Sequence, residues 1–215
     1  MSDCCSPKGY RWVFSERSAR SEARRYRRKG LDATSRRIVD FVKAQGVEGR
    51  TVIEVGGGIG AILIELLKAG AARAVSVELT PTYEEVARDL LSEAGLADRV
   101  ERRVMDFVEA APEVETADVV VLNRVLCCYP DMRRLAGAAA DHARQLLVMT
   151  YPRRTWWTRM GLGVSNLVLR LTRREFHIFV HPPTQIMAAA RDHGLRPVLD
   201  ETGVLWTLAG LRRAS

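Results

Sequence analysis

Ten residues, Thr51 to Gly60 (Thr-Val-Ile-Glu-Val-Gly-Gly-Gly-Ile-Gly), constrain the fold of this 215-residue chain more than any other stretch. Val52, Ile53 and Val55 are apolar and β-branched, the pattern of a strand buried in a parallel sheet. The glycines that follow admit a sharp turn and let a ligand approach the main chain, because no Cβ stands in the way. Ile59 to Lys68 then continues as an apolar run closed by a lysine and reads as a packed helix. Strand, glycine turn and helix in that order open a nucleotide-binding βαβ unit.

The rest of the chain repeats this alternation. Residues Tyr10 to Lys29 interleave arginines with Tyr10, Trp12, Phe14 and Tyr26, which suits an amphipathic arm folded over a cleft and, less well, a single-stranded nucleic-acid surface. Gly30-Leu31-Asp32 breaks that segment, and Asp32 or Thr34 is placed to cap a helix running to Val42. Further strands are expected at Ala74–Leu79, Val100–Val104, Ala117–Asn123 and Gln145–Thr150. Helices are expected from Pro81 to Ala94, capped by Thr80, and from Met132 to Ala143. Pro182-Pro183 starts a last helix that Gly194 stops. Leu195–Asp200 and Val204–Leu208 are separated only by Glu201-Thr202-Gly203, so they must pair as antiparallel neighbours.

Composition narrows the partners. With 47% hydrophobic and 27% charged residues the chain is an ordinary globular domain. Its net charge of +7 invites an anionic partner, although arginines on solvated helix faces explain it as well. Met1 to Cys5 lacks the apolar core of a signal peptide, so a cytoplasmic protein with reduced cysteines is expected. No apolar run reaches the roughly 18–20 residues of a membrane span.

Polar residues close the strands one after another: Glu54 stands before the glycines, and Glu78, Asp106 and Asn123 end the next three strands. All would lie along the carboxyl edge of the sheet, where open α/β folds bind ligands. Gly56, Gly58 and Ala61 also satisfy a loose dinucleotide fingerprint, so a nicotinamide or flavin enzyme is the competing reading. A pyrophosphate would be repelled by acids at these positions, whereas hydroxyls and an ammonium would be welcomed.

With these pieces in place, residues 32 to 211 resemble the class I S-adenosylmethionine-dependent methyltransferases. The resemblance rests on Glu54-Val55-Gly56-Gly57-Gly58-Ile59-Gly60, Val77-Glu78-Leu79, Met105-Asp106-Phe107, Leu122-Asn123-Arg124 and the closing hairpin. It implies an α/β, Rossmann-like, doubly wound and mostly parallel seven-stranded sheet with a C-terminal antiparallel hairpin, plus an N-terminal helical arm. The arm would be residues 1–31 and the methyltransferase domain residues 32–215, with a cap inserted at about 152–181. The implied cofactor is S-adenosyl-L-methionine, contacted by Glu54, Gly56, Gly57, Gly58, Gly60, Glu78, Leu79, Asp106, Phe107 and Asn123. Within that set the glycine turn approaches the methionine portion and Glu78 takes the ribose hydroxyls. Asp106-Phe107 faces the adenine, and Asn123 sits beside the methionine end.

Among its members the chain is distantly similar to the magnesium-protoporphyrin and quinone O-methyltransferases, through His177-Ile178-Phe179-Val180-His181-Pro182-Pro183. O-methylation of a small, hydrophobic molecule is therefore expected, with His181 as base and Tyr10, Phe14, Cys127, Cys128, Tyr129 and His177 as candidate substrate contacts. Asn123-Arg124-Val125-Leu126 replaces the Asn/Asp-Pro-Pro-aromatic motif of amino-group methylases, which argues against a DNA substrate. Cys4-Cys5 and Cys127-Cys128 leave two alternatives open: a soft-metal site, or methylation of sulfur or a metalloid. A catalytically inactive cofactor- or nucleic-acid-binding protein is the third. Residues Trp156 to Leu171 admit three readings: a cap lining the substrate pocket, ordinary core packing, or peripheral membrane contact within 153–174. In the last, Arg153, Arg154, Arg170, Arg173 and Arg174 would stand at headgroup level. The oligomeric state is left open.

Overall fold

The computed structural model describes Tyr10, residues 13–172 and residues 176–214. Arm helix α1 spans Glu16–Lys29 and α2 spans Ala33–Ala44, the latter capped by Asp32 as expected, with its carboxylate accepting from the Thr34 and Ser35 N–H groups. The first unit is β1 (Thr51–Val55), α3 (Ala61–Lys68) and β2 (Arg73–Glu78). Next come α4 (Glu84–Glu93), β3 (Val100–Val104), β4 (Ala117–Leu122), α5 (Met132–His142) and β5 (Ala143–Pro152). Helix α6 (Trp156–Leu171), α7 (Pro183–Asp192), β6 (Leu195–Thr202) and β7 (Trp206–Arg213) complete the chain.

The strands form one seven-stranded sheet in the order β3-β2-β1-β4-β5-β7-β6. Strands β1 to β5 run parallel, and β7 inserts antiparallel between β5 and β6. The chain winds outward from β1 to β3, then returns to start again at β4 beside β1. That reversal opens a crevice at the carboxyl ends of β1 and β4, which is where such sheets hold their ligands.

Side-chain alternation sorts the core into two layers. Val52, Val119, Val121, Leu146 and Val148 face a cluster with Ile38, Leu63, Leu67 and Leu90 from α2, α3 and α4. Ile53, Val120, Leu122, Leu147 and Met149 face the other way, against Leu135, Ala139, Ile186 and Ala189 from α5 and α7. Burial of each such branched side chain contributes about 1.5–3 kcal/mol, and burying both faces fixes the register, since a one-residue slip would exchange the layers.

Several sequence boundaries shift. Strand β7 begins at Trp206 rather than Val204 and runs on to Arg213, while β6 extends to Thr202. Val204 and Leu205 are exposed in the connection, where Gly203 N–H donates to the Trp206 carbonyl at 2.9 Å and leaves no room for a Cβ. The helix expected from Pro81 opens as a 3₁₀ turn over Pro81–Tyr83, and the Thr80 hydroxyl pairs with that of Thr82 instead of capping. Strand β5 is longer than expected because β7 pairs with it from Leu146 to Pro152.

Candidate functional site at the strand tips

Beyond β1 the backbone takes the left-handed region at Gly56 (φ 67°) and Gly58 (φ 60°), which L side chains rarely adopt. Gly57 is demanded by space: a Cβ there would lie 2.2 Å from the Glu54 carboxyl. Glu54 is therefore beneath the turn, 1% exposed, and Oε2 has no hydrogen-bond partner among the described residues. Burial, with Glu78 nearby, pushes its pKa up to about 8, so the carboxyl is neutral at pH 7. Gly60 (φ 74°) likewise serves the turn, as the cap that starts α3.

Glu78 closes β2 and aims into the crevice. Its Oε1 accepts from the Gly58 N–H at 2.5 Å, which ties the acid to the turn. Burial pushes its pKa up to about 7, against the pull of that N–H and of Arg102. Arg102 is itself nearly buried and clamps three pieces together. It pairs with Glu84 at 2.8 Å, donates to Ser76 Oγ at 3.0 Å and reaches the Gly58 carbonyl at 3.4 Å. Asp106, beyond β3, accepts from the Val108 N–H at 2.9 Å and takes the Tyr129 hydroxyl on both oxygens at 3.1 Å.

Asn123, beyond β4, belongs to a ring of hydrogen bonds that joins the sheet to the start of α2. Its Nδ2 donates to Ser35 Oγ at 3.3 Å, and Ser35 Oγ donates to Asp32 at 2.9 Å. Asp32 pairs with the Arg124 guanidinium at 2.7 Å. The Arg124 N–H donates to Thr150 Oγ1 at 2.8 Å, and Thr150 donates onward to Asn123 Oδ1 at 2.9 Å. Burial works against the Asp32 carboxylate, but Arg124 and the Ser35 and Thr34 donors hold it below the usual carboxylate range. Among the described residues Arg124 alone is a non-glycine with positive φ (62°), and its guanidinium stands 5.4 Å over the Trp206 ring.

The arm supplies the opposite wall. Tyr10 and Phe14 are stacked 6.2 Å apart and meet Phe176 edge-on at 5.4 and 5.9 Å. The Tyr10 hydroxyl donates to the Cys128 carbonyl, which carries the arm across to the loop after β4. Tyr26 donates to Glu65 at 2.5 Å, and Tyr83 to Glu22 at 3.2 Å; burial raises the Glu22 pKa.

Together these elements enclose a cavity of about 300 Å³. Of the residues expected from sequence, Gly56, Gly57, Gly58, Glu78, Leu79, Asp106, Phe107, Asn123, Tyr10, Phe14, Cys128 and Tyr129 line it. Glu54, Gly60, Cys127, His177 and His181 do not. The half-buried His181 ring stacks 5.5 Å from Phe179, with Nε2 at 3.2 Å from the Tyr129 carbonyl, and burial lowers its pKa. His177 faces Phe179 and Asn166. Cys127 and Cys128 bring their Sγ atoms within 3.6 Å of each other, and that contact lowers the Cys127 pKa against the effect of burial. Cys4 and Cys5 lie outside the described residues, among which no group of three His, Cys, Asp or Glu side chains could hold a metal ion.

The lining also includes Glu22, Arg25, Tyr26, Asp32, Ser35, Tyr83 and Arg124, which the sequence reading did not place there. Arg124 carried a signal as the residue after the strand-end Asn123, and Tyr26 as one of the aromatics of the arm. None of residues 156–171 lines the cavity, and Trp156, Met160, Val164, Leu167, Val168 and Leu171 are exposed.

The crevice suits adenosine with a sulfonium amino-acid tail better than a diphosphate. Glu78, Glu22 and Asp106 present acceptors to hydroxyls and amines, which a diphosphate, itself an acceptor, would leave unmatched. The turn itself leaves no room for side chains, since a Cβ on Gly56 would meet Val125 at 2.7 Å and one on Gly58 would meet Tyr83 at 3.3 Å.

Comparison with known proteins gives the same answer. A family described as "Methyltransferase domain" matches residues 20–199. Over 94 residues, 44% of this chain, the sequence is 33% identical to ribosomal protein L11 methyltransferase of Enterobacter sp. strain 638, but that match spans only 31% of the relative's length. Magnesium protoporphyrin IX methyltransferase of Synechocystis PCC 6803, crystallised with bound SAH, superposes with a TM-score of 0.70 at 17% identity over 84% of this chain and 82% of that one. An O-methyltransferase family protein of Burkholderia thailandensis superposes with a TM-score of 0.69 at 25% identity, covering 94% of this chain and 64% of that one.

Proposed function

Since this chain belongs to the methyltransferase-domain family, the class I S-adenosylmethionine-dependent methyltransferases, we propose that it methylates an oxygen of a small, hydrophobic acceptor. The observation that carries this is the mixed lining of the cavity. Glu78, Asp106 and the glycine turn offer polar groups fitted to the cofactor, while Tyr10 and Phe14, stacked on each other and packed on Phe176, give it an aromatic wall.

The cofactor supplies an activated methyl group on sulfur; the protein has to align the acceptor and exclude water. In this reading Glu78 accepts the ribose hydroxyls, Asp106 and the Phe107 backbone face the adenine, and the main chain of Gly56–Gly58 lies against the methionine portion. Asn123, held from both sides by Ser35 and Thr150, orients the methionine end. Arg124 and Arg25 offer cations to its carboxylate, and Glu22 an acceptor to its ammonium. Glu54 supports the turn from beneath without touching the ligand.

No imidazole is among the described lining residues, so the acceptor oxygen is best one that ionises on its own: a phenol, an enol or a carboxylic acid. The likeness to ribosomal protein L11 methyltransferase raises a protein substrate as the other reading. Against it, Asn123-Arg124-Val125-Leu126 lacks the Pro-Pro-aromatic arrangement of amino-group methylases.

The test is calorimetric titration with S-adenosylmethionine, followed by transfer of radiolabelled methyl to a panel of apolar phenols, carboxylic acids, amines and thiols. Micromolar cofactor binding with label retained on acidic oxygen acceptors is expected. Failure to bind the cofactor, or label only on amines, would reject the proposal.

A further inference from the structure

Helix α6 leaves six large apolar side chains in solvent. At 100° per residue, Trp156, Met160, Val164, Leu167, Val168 and Leu171 share one arc of about 120°. Trp156 is 75% and Leu171 72% exposed, and the other four are exposed as well. The opposite side holds the helix to the protein: Thr158 is buried, and Asn166 brackets Ile178, donating to its carbonyl and accepting from its N–H, each at 2.8 Å. A contiguous apolar strip along a whole helix is a different feature from scattered exposed leucines, and it marks an interaction surface.

The charges around the strip are of one sign. Residues 153–174 contain six arginines and no Asp or Glu. Arg159 and Arg170 border one edge of the arc, the exposed Arg153 and Arg154 precede the helix, and Arg173 and Arg174 follow it in sequence, outside the described residues. Among the described residues no helix is long and apolar enough to cross a membrane.

We infer that α6 docks on the surface of an anionic lipid bilayer, its apolar arc in the acyl boundary and its arginines among the headgroup phosphates, and that the methyl acceptor is a lipid-soluble molecule drawn from that bilayer. The second half rests on the methyl-transfer reading; the first does not. Charge complementarity selects the occupant. A second copy of the chain, in a two-fold contact, would bring the same arginines face to face with no carboxylate from this stretch between them. The helix is also coupled to the cavity. Asn166 holds Ile178, the neighbouring Phe179 N–H donates to the Cys127 carbonyl at 2.7 Å, and Phe176 packs on the lining residues Tyr10 and Phe14. The docking helix thus adjoins the aromatic wall, where an apolar acceptor would enter.

The test is co-sedimentation of the whole chain with vesicles of phosphatidylcholine alone or mixed with phosphatidylglycerol, with cofactor titration as a control for folding. Binding to the anionic vesicles is expected to be at least tenfold stronger than to the neutral ones and to weaken with salt. The double variant Val164→Glu/Leu167→Glu should lose at least tenfold, and Arg159→Ser and Arg170→Ser about fivefold each, with cofactor affinity unchanged in all. Equal or absent sedimentation with the two vesicle types would overturn docking. So would α6 variants that abolish self-association instead. For the acceptor, turnover on an apolar phenol embedded in anionic vesicles should exceed that on its water-soluble analogue at least tenfold and fall with the α6 double variant. Turnover indifferent to vesicles would overturn that half and leave docking standing. Vesicle binding without transfer to any acceptor would overturn the methyl-transfer reading and the acceptor with it.

Discussion

The strand-tip wall of the cavity and the arm wall opposite hold their polar groups by different means. Glu78 and Asp106 are fixed by the sheet itself: each follows a strand paired on at least one side, and main-chain donors from Gly58 and Val108 set their carboxylates. Glu22, Asp32 and Tyr10 depend in addition on links between elements far apart in sequence, as in the Asp32–Arg124 and Tyr83–Glu22 pairs and the Tyr10 hydroxyl on the Cys128 carbonyl. Main-chain donors anchored in a two-sided core cost little to keep in place, whereas a side-chain ring must be ordered each time it forms. The strand-tip wall is thereby suited to holding a cofactor common to the whole family. The arm wall, which carries Tyr10 and Phe14 beside Glu22, is the one that can vary with what must be closed over.

The largest expected effect tests the first half of that contrast. Glu78→Ala should lower cofactor affinity about 100-fold, the loss of two hydrogen bonds to a charged acceptor, while the melting temperature changes little. Calorimetry and thermal denaturation measure the two separately, and an affinity within threefold of the parent would remove Glu78 from the cofactor site.

On the arm wall, Asp32→Ala should act on both properties at once. It removes the cap of α2, worth about 1 kcal/mol, and leaves the Arg124 guanidinium without its carboxylate. Cofactor affinity should fall about tenfold as the Ser35–Asn123 link loosens. A drop in stability alone would make the ring a structural tie and nothing more.

Acidity separates Glu78 and Glu54 from Asp32. Glu78 and Glu54 have folded pKa values of about 7 and about 8, above the usual 4.5. As pH rises from about 4.5 the unfolded chain gives up these protons first, so the stability of the cofactor-free protein should fall up to about pH 8 and level off beyond it. Glu54→Gln should flatten the upper part of that decline. Cofactor affinity should move the other way, rising from pH 6 to pH 8, because ribose hydroxyls donate best to an ionised Glu78. An affinity flat across that range would mean that Glu78 is already ionised or not in contact. Asp32, its carboxyl held low by Arg124, should contribute no pH dependence in this window.

The same contrast explains what could be read from the sequence. The strand tips were legible because the acids stand at fixed places after β-branched runs, so Glu78, Asp106 and Asn123 declare themselves by position. Of the arm wall, Tyr10 and Phe14 were legible as aromatics of the arm, but its polar links were not, since Asp32 and Arg124 are 92 residues apart and Glu22 and Tyr83 are 61 apart, with no local pattern to link them. Asp32 was visible only as a helix cap, which it also is. For α6 the sequence displayed the apolar residues, but the choice between cavity, core and solvent depends on where Asn166 and Thr158 attach the helix, a tertiary fact. His181 was singled out as a base for an oxygen nucleophile from its place at the mouth of the tail segment; its ring stacks on Phe179, and it is not among the lining residues.

The smallest expected effects fall where the two walls meet, at the loop after β4. If the acceptor is an acidic oxygen, neither thiols nor imidazole take part in transfer, and Cys127→Ser, Cys128→Ser and His181→Asn should each leave turnover within about fivefold of the parent. Cys127 is buried, and its thiol stands 3.4 Å from the Arg124 carbonyl, so serine there can keep a donor in place at a modest cost in packing. Cys128 does line the cavity, and its replacement should raise the acceptor's KM before it lowers kcat. Turnover abolished with cofactor affinity intact would reverse the argument. The Cys127–Cys128 pair would then be part of the chemistry, and a sulfur or metalloid acceptor would replace the oxygen one. Steady-state kinetics of the three variants, with cofactor titration beside them, distinguishes the outcomes, because packing damage shifts stability and binding together whereas lost chemistry shifts kcat alone.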